Sequence, residues 1–89
     1  MPVLERAWEL APGVAVRPEP FGALLYHFGT RRLSFVKDTQ LLAVVEHLAD
    51  SPSARAACEA VGVDATSMPS FERAIARLAE TQMIRERHR

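Results

Sequence analysis

The first part of the chain alternates apolar side chains with polar or small ones at the period of two that is typical of β-strands. One run starts at Val14 and closes at residues 18–20, where two prolines supply turn chemistry. A second run covers residues 23–28, and a third covers residues 32–36. Gly29 begins the short turn between them, since glycine adopts the positive backbone angles that a hairpin needs. The pattern predicts a three-stranded antiparallel meander.

From Asp38 onward the period changes to that of a helix. The apolar positions match the i, i+3, i+4, i+7 template of one helical face: Leu41, Val44, Val45 and Leu48. Asp38 is the expected N-cap, because its carboxylate can accept hydrogen bonds from backbone N–H groups that the first turn leaves unpaired. A first helix is therefore predicted directly after the sheet.

Two more helices are predicted behind the first. Ser51-Pro52 is expected to open the second helix, and Gly62 to end it. The third begins near Pro69. Their apolar stripes are Ala54, Ala57, Cys58 and Val61 on the second helix, and Phe71, Ala74, Ile75 and Leu78 on the third. This pair resembles a helix-turn-helix.

The expected fold class is α+β, a three-stranded antiparallel meander followed by three helices, winged-helix-like. Eighty-nine residues suffice for one domain only. Its parts are an N-terminal segment over 1–12, the sheet over 13–36, the helices over 38–84 and a tail over 85–89. The helices are needed because a three-stranded sheet alone would expose its apolar face.

Composition restricts the class of function. Eleven basic and eleven acidic side chains give a net charge of zero, whereas a dedicated nucleic-acid binder carries a basic excess. The apolar runs are too short to span a membrane, and no signal peptide follows Met1. One cysteine cannot form an internal disulfide, which fits a reducing cytoplasm. We expect a cytoplasmic protein with no nucleic-acid or membrane partner.

Reactive side chains do not converge in the sequence. His27, His47, Cys58 and His88 have none of the spacings that build a zinc site. Cys58 falls on an apolar helical stripe, which favours packing over nucleophilic chemistry. The glycines are isolated and form no phosphate loop. We therefore expect no metal, no cofactor and no catalytic activity.

The third strand is a candidate for binding an extended peptide. It is an edge of the meander and carries no proline, so its free N–H and C=O groups could accept an added strand. Sequence leaves open whether Leu33 and Phe35 or Ser34 present their backbone to that edge. Ser34→Pro is the first choice in a proline scan, because its side chain is expected to point away from a Leu33 and Phe35 core face.

A flank of the third helix gives a second indication. Arg73, Arg77 and Thr81 lie together beside the apolar stripe, and the two arginines are an i, i+4 pair of like charges. An anionic partner would offset their repulsion; the alternative is a solvated face on which Glu80 screens them. Three further arginines are expected to belong to a frayed, solubilising tail: Arg85, Arg87 and Arg89.

Residues 8–37 resemble the precursor-peptide chaperones of radical-SAM peptide-modifying pathways, the RiPP recognition element family. The general form, shared with the pyrroloquinoline quinone chaperone, is Leu10-Ala11-Pro12-Gly13-Val14 followed by the strands. Residues 17–23, RPEPFGA, and residues 26–33, YHFGTRRL, are more specifically similar to the mycofactocin chaperones.

The resemblance implies that the leader of a ribosomally made precursor peptide docks on the third strand against the third helix. The chain would then present the peptide to a radical-SAM maturase in mycofactocin-type biosynthesis. The implied groove is Arg32, Leu33, Ser34, Phe35 and Val36 on one wall and Arg73, Ala74, Arg77 and Thr81 on the other. The opposite flank, with Ala76, Ala79 and Met83, could line it instead.

Two other classes remain as alternatives. A winged-helix DNA-binding regulator would read bases with the third helix, but the zero net charge and the lack of asparagine or glutamine on that helix count against it. A structural module would form a homodimer through the same strand edge. Titration with duplex DNA and with a leader peptide separates these hypotheses.

Overall fold

The computed structural model describes residues 2–87 and confirms the three strands and three helices. Met1, His88 and Arg89, all three named in the expectations above, lie outside these residues. The helices and strands are β1 Trp8–Leu10, β2 Val14–Glu19, β3 Gly22–His27, β4 Arg32–Val36, α1 Thr39–His47, α2 Ala54–Val61, α3 Met68–Glu80 and β5 Ile84–Glu86, with 3-10 turns at Val3–Glu5 and Leu48–Asp50.

The main sheet has the antiparallel order β2-β3-β4 and is covered by helices on one face. On that inner face Leu25 is fully buried and Val36 is 1% exposed. Leu33 and Phe35 point to the other side and are 53% and 57% exposed, so the expectation that they face the core is wrong. Both faces of the sheet show the same period of two along the sequence, so the period alone does not tell which face is buried. Helix α1 covers the face on which Ser34 lies opposite Leu25.

Helix α1 begins as predicted. Asp38 is extended, with φ −155° and ψ 122°, and its Oδ1 accepts a hydrogen bond from the Gln40 backbone N at 2.7 Å. Val44 and Val45 are buried, and Leu48 continues the same stripe into the following 3-10 turn. An N-cap of this kind contributes about 1 kcal/mol to stability, and it fixes the point at which the chain leaves β4.

Helix α2 has a different cap from the predicted one. Ser53, not Ser51, is the N-cap, and its hydroxyl oxygen accepts from the Ala56 backbone N at 3.1 Å. Ser51 instead donates its hydroxyl to the His47 carbonyl at 2.8 Å, since the preceding segment winds into a 3-10 turn. The predicted end of the helix is confirmed, with Gly62 in the left-handed conformation at φ 91°.

Helix α3 closes the core. It starts one residue before Pro69, as the sequence predicts, and buries Phe71, Ile75 and Leu78. The core lies between the inner sheet face and the three helices, an α+β arrangement compatible with the loose winged-helix comparison. Within residues 2–87, every helix is too short or too polar to traverse a bilayer.

A second, two-stranded sheet joins the two ends of the described chain, and the hydrophobic pattern did not predict it. β1 pairs antiparallel with β5, with Glu9 opposite Arg85, whose Nε lies 2.7 Å from the Glu9 carboxylate. Arg87 donates to the Ala49 carbonyl at 2.7 Å and also to the Ser51 carbonyl. Arg85 and Arg87 are therefore ordered by specific partners, and the prediction of a frayed tail is wrong for both.

Candidate peptide-binding site

Strand β4 is an edge of the main sheet. Its inner side pairs with β3, and no other strand within the described residues 2–87 pairs with its outer side. The opposite edge, β2, carries Pro18 and an ion pair between Arg17 and Glu19 at 3.0 Å. Proline and charge are the usual means of blunting an edge. β4 contains no proline, so the open edge is on its side.

Backbone hydrogen bonds of β3 show how that strand is oriented between its neighbours. The Phe28 N–H, just beyond β3, donates to the Gly13 carbonyl on the β2 side at 2.9 Å. The His27 carbonyl points to the other side, where it accepts from the Arg31 N–H at 2.7 Å. Backbone groups alternate in direction along an antiparallel strand. Ala23 and Leu25 therefore point to β4 together with His27.

This alternation determines which residues of β4 face the open edge. The β4 residues opposite Ala23, Leu25 and His27 pair inward, and they are Val36, Ser34 and Arg32. Leu33 and Phe35 consequently present their N–H and C=O groups to the open side. The choice of Ser34 for testing the outward edge by proline substitution is thus wrong, because its N–H belongs to the ladder with β3.

Gly22 sets the position of the end of β4. Its φ is 148°, and a Cβ placed there would come within 2.0 Å of the Val36 carbonyl oxygen and 3.0 Å of the Asp38 N. A real side chain cannot approach backbone that closely. Glycine at this position therefore lets the start of β3 lie against the junction of β4 and α1.

His27 holds the turn that starts β4. Its Nδ1 accepts hydrogen bonds from the Gly29 N–H at 3.0 Å and from the Thr30 N–H at 3.2 Å. The ring lies so close that a Cβ on Gly29 would be 2.9 Å from it. The histidine is thus a structural part of the hairpin, a role that its place in the strand pattern did not indicate.

A cavity of about 110 Å³ opens between α1 and α3, beside the point where the chain leaves β4. Its lining consists of Asp38, Leu41, Ser70, Phe71 and Ala74. Of these, only Ala74 was predicted as a site residue. Asp38 was interpreted as a cap and Leu41 and Phe71 as core positions, and only the approach of α1 to α3 brings these residues together with Ser70.

The arginine flank of α3 lies on the cavity side. Ala74 lines the cavity, and Arg77 and Thr81 follow it at i+3 and i+7, which places them on the same side of the helix. The Thr81 hydroxyl is used locally, donating to the Arg77 carbonyl at 3.0 Å. Arg73 and Arg77 are both exposed. Within residues 2–87, neither arginine forms an ion pair with Glu80 or any other carboxylate.

One predicted member of the opposite flank of α3 lies inside the core. Met83, beyond the end of the helix, is fully buried, and its backbone bonds to Leu78 and Ala11. Ala79 packs against the hydrophobic core. Met83 therefore cannot line a groove that is open to a peptide, whereas Ala76 and Ala79 are half-buried.

Side chains that could bind a metal or act as a nucleophile are the candidate site groups of residues 2–87. Among residues 2–87 there is no cluster of three histidine, cysteine or acidic side chains that could hold a metal ion. Cys58 is buried in the core, and this burial raises the pKa of its thiol. A raised pKa keeps the sulfur protonated and unreactive.

Comparison with known proteins identifies the family. A family model described as the peptide chaperone MftB family matches residues 7–85. The chain is 55% identical over 80 residues to the peptide chaperone MftB of Mycobacterium tuberculosis, covering 90% of this chain and 73% of that protein. The peptide chaperone MftB of Mycobacterium ulcerans shows the same identity and coverage. That of Mycolicibacterium smegmatis is 50% identical over 78 residues, which cover 88% of this chain and 76% of that protein. No solved structure matches the chain. The chain belongs to the peptide chaperone MftB family.

Proposed function

We propose that this chain is a peptide chaperone that binds the leader of a ribosomally made precursor peptide and presents it to a radical-SAM maturase in mycofactocin-type biosynthesis. Membership in the peptide chaperone MftB family supports the first part. The observation that carries the binding mode is the open side of β4, where Leu33 and Phe35 offer backbone groups that no described strand pairs with. The opposite edge of the sheet, β2, is blunted.

The peptide adds as a strand on β4. Each of the two outward residues offers one N–H and one C=O, so main-chain hydrogen bonds hold the peptide whatever its side chains are. Leu33 and Phe35 make these hydrogen bonds. The other residues of β4 that take part shape the strand: Arg32, Ser34 and Val36.

The second wall is the cavity side of α3. Side chains of an added strand alternate between the two faces of the sheet. Those on the helix side of the sheet turn toward the cavity that Ala74 lines, with Arg77 and Thr81 further along the same side. Unpaired Arg73 and Arg77 favour an acidic group in the leader, because a carboxylate there relieves the repulsion between them.

The chain itself contributes binding and positioning, and the maturase performs the chemistry. The name of the relatives, peptide chaperone, agrees with a protein that is not an enzyme. A single buried cysteine fits a location in the cytoplasm, where thiols stay reduced.

Two alternatives have less support. A DNA-binding role for α3 would need an excess of cations, and the chain has none. A dimer through β4 would use the same backbone groups as the peptide, so the two modes would compete.

Hydrogen exchange followed by NMR tests strand addition directly. In the free protein, we expect the amides of Leu33 and Phe35 to exchange quickly and the amide of Ser34 slowly, because only the last is paired with β3. Adding a synthetic precursor peptide should slow exchange at Leu33 and Phe35 and leave Ser34 unchanged. Duplex DNA should change the exchange of none of these three amides.

Slow exchange at Leu33 and Phe35 that depends on protein concentration in the absence of peptide would indicate the dimer instead. Binding of the precursor without any change at these two amides would contradict strand addition on β4.

A further inference from the structure

The outer face of the main sheet is unusually apolar. Antiparallel sheets that cover one face with helices normally turn polar side chains outward. Here four large apolar side chains on the solvent side are strongly exposed: Phe21 at 43%, Leu33 at 53%, Phe35 at 57% and Phe28 at 65%. Together with half-buried Leu24 and Tyr26 they form what we call the outer patch.

The outer patch is continuous. The rings of Phe21 and Phe35 lie 6.2 Å apart at one end, and the rings of Tyr26 and Phe28 make an edge-to-face contact at 4.9 Å at the other. Between the ends, the strand register sets Leu24 opposite Phe35 and Tyr26 opposite Leu33. Apolar side chains therefore run along the sheet from one end to the other.

Its size indicates a transient rather than a permanent interface. From their exposed fractions, the four most exposed side chains leave on the order of 400 Å² of apolar area to water. Isolated exposed apolar residues are normal, but a contiguous patch of this area usually marks an interaction site. A stable dimer buries about 800 Å² on each partner, roughly twice this amount, so the patch suits the apolar centre of an interface with a polar rim.

The charges around the outer patch determine what can cover it. The Lys37 ammonium lies 5.8 Å from the Phe35 ring centroid, and Arg17, which forms an ion pair with Glu19 at 3.0 Å, shares the outer face because it is opposite Leu24. Arg31 is exposed in the turn at the other end. A second copy docked by a two-fold axis would bring cations against cations in either alignment. A partner with carboxylates around an apolar centre would complement them.

From these observations we infer that the outer patch docks a second protein whose surface is apolar at its centre and acidic at its rim. This rests on the proposed function, in which that protein is the radical-SAM maturase. Leu33 and Phe35 connect the two surfaces, since their backbones face the peptide edge while their side chains belong to the outer patch. A peptide added to β4 then lies directly alongside the docked enzyme.

A membrane surface is the less suitable occupant. Attachment to anionic lipids through charge requires a cluster of several cations. The outer patch has few, one of which, Arg17, is partly neutralised by Glu19 at 3.0 Å. The net charge of the chain is zero.

Two variants test the surface while leaving the peptide edge intact. Phe21→Ser with Phe28→Ser removes one aromatic ring from each end of the outer patch, and Arg17→Glu with Lys37→Glu reverses the rim. None of these residues belongs to the β4 edge or to α3. Arg55→Glu on α2 is the matched control, because it also reverses the charge of an arginine that forms an ion pair, here with Glu5. Circular dichroism and thermal melts establish that each variant is folded.

The affinity for the purified maturase and for the synthetic precursor peptide is measured separately for each protein. We expect both double variants to keep the peptide Kd within twofold of wild type and to weaken binding of the maturase at least tenfold. The rim variant should also lose the salt dependence of that binding. Arg55→Glu should match wild type in both assays.

Failure of this inference and failure of the proposed function give different results. A wild type that does not bind the precursor peptide overturns the proposed function. A wild type that binds the peptide while either the maturase does not bind or the double variants bind it normally overturns the role of the outer patch. The wild type could also dimerise in sedimentation experiments or bind anionic vesicles. If the Phe21 and Phe28 variant loses that property, the outer patch belongs to a second copy or to a membrane instead.

Discussion

The two edges of the main sheet differ in the backbone groups that they leave available for an added strand. In β2, Pro18 lies opposite Ala23, whose backbone points to β4, so the proline nitrogen faces the outer side of β2. The proline therefore costs the sheet no ladder bond and removes a donor from that edge. In β4, the outward positions are Leu33 and Phe35, which keep their N–H groups. The chain thus closes one edge by its choice of residue and leaves the other available.

The largest effect is expected from proline substitutions along β4. Ser34→Pro removes an N–H that pairs with β3, which should cost on the order of 3 kcal/mol and unfold much of this small domain. Phe35→Pro removes an outward N–H, so the domain should stay folded and lose peptide binding. Thermal melts and calorimetric titration with the precursor peptide measure the two properties.

A folded Ser34→Pro protein together with an unfolded Phe35→Pro protein would reverse the assignment of inward and outward positions. Leu33→Pro serves as the second outward variant and should behave like Phe35→Pro.

A smaller loss of stability is expected when the end of the open edge is displaced. Gly22→Ala places a methyl group against the Val36 carbonyl and requires a positive φ, which together should cost about 1–3 kcal/mol. Gly13→Ala is a matched control, because its φ is also positive, at 86°, but nothing lies within 4 Å of the added carbon. Chemical denaturation should show the larger loss for Gly22→Ala. Equal losses would mean that the contact with Val36 is relieved at no cost.

Charge reversal on α3 should weaken peptide binding at the open edge without unfolding the domain. Arg73→Glu with Arg77→Glu is expected to raise the peptide Kd about tenfold, or about 1.4 kcal/mol, if an acidic leader group lies there. Salt should weaken wild-type binding more than that of the variant, because exposed charges are screened. Neutral Arg77→Gln should be intermediate. Unchanged affinity with an intact circular dichroism spectrum would exclude these arginines from the site.

The smallest effect is expected on the blunted edge. Pro18→Ala restores an N–H that faces outward, so stability should change by no more than about 0.5 kcal/mol. The peptide stoichiometry should remain one, because β2 lacks the cavity and the cations that flank β4. A second bound peptide in calorimetric titration would show that the proline alone distinguishes the edges.

Local patterns predicted the elements correctly where one residue type determines the backbone. Asp38 as a helix cap and Gly62 as a helix end were both read from sequence, since each acts on neighbours a few residues away. The choice between Ser51 and Ser53 was missed because both are serines near a proline, and only the intervening 3-10 turn decides between them.

Features that depend on distant contacts were beyond the sequence pattern. The pairing of β1 with β5 joins residues more than seventy positions apart, as in Trp8 opposite Glu86, and each strand is too short to show a period. Likewise, Leu33 and Phe35 are as apolar as a core pair, so only the position of the helices shows that their face is open. For the same reason, the sequence pattern could not say which residues of the predicted strand wall present their backbone to the open edge.

The His27 ring has a chemical consequence for following the hairpin in solution. Its Nδ1 accepts from two amides, so this nitrogen must carry a lone pair, and the neutral ring holds its hydrogen on Nε2. The hairpin thereby selects one of two tautomers. Protonated and unprotonated imidazole nitrogens resonate far apart in ¹⁵N spectra, so a single labelled histidine can report closure of the β3–β4 turn while a peptide binds beside it.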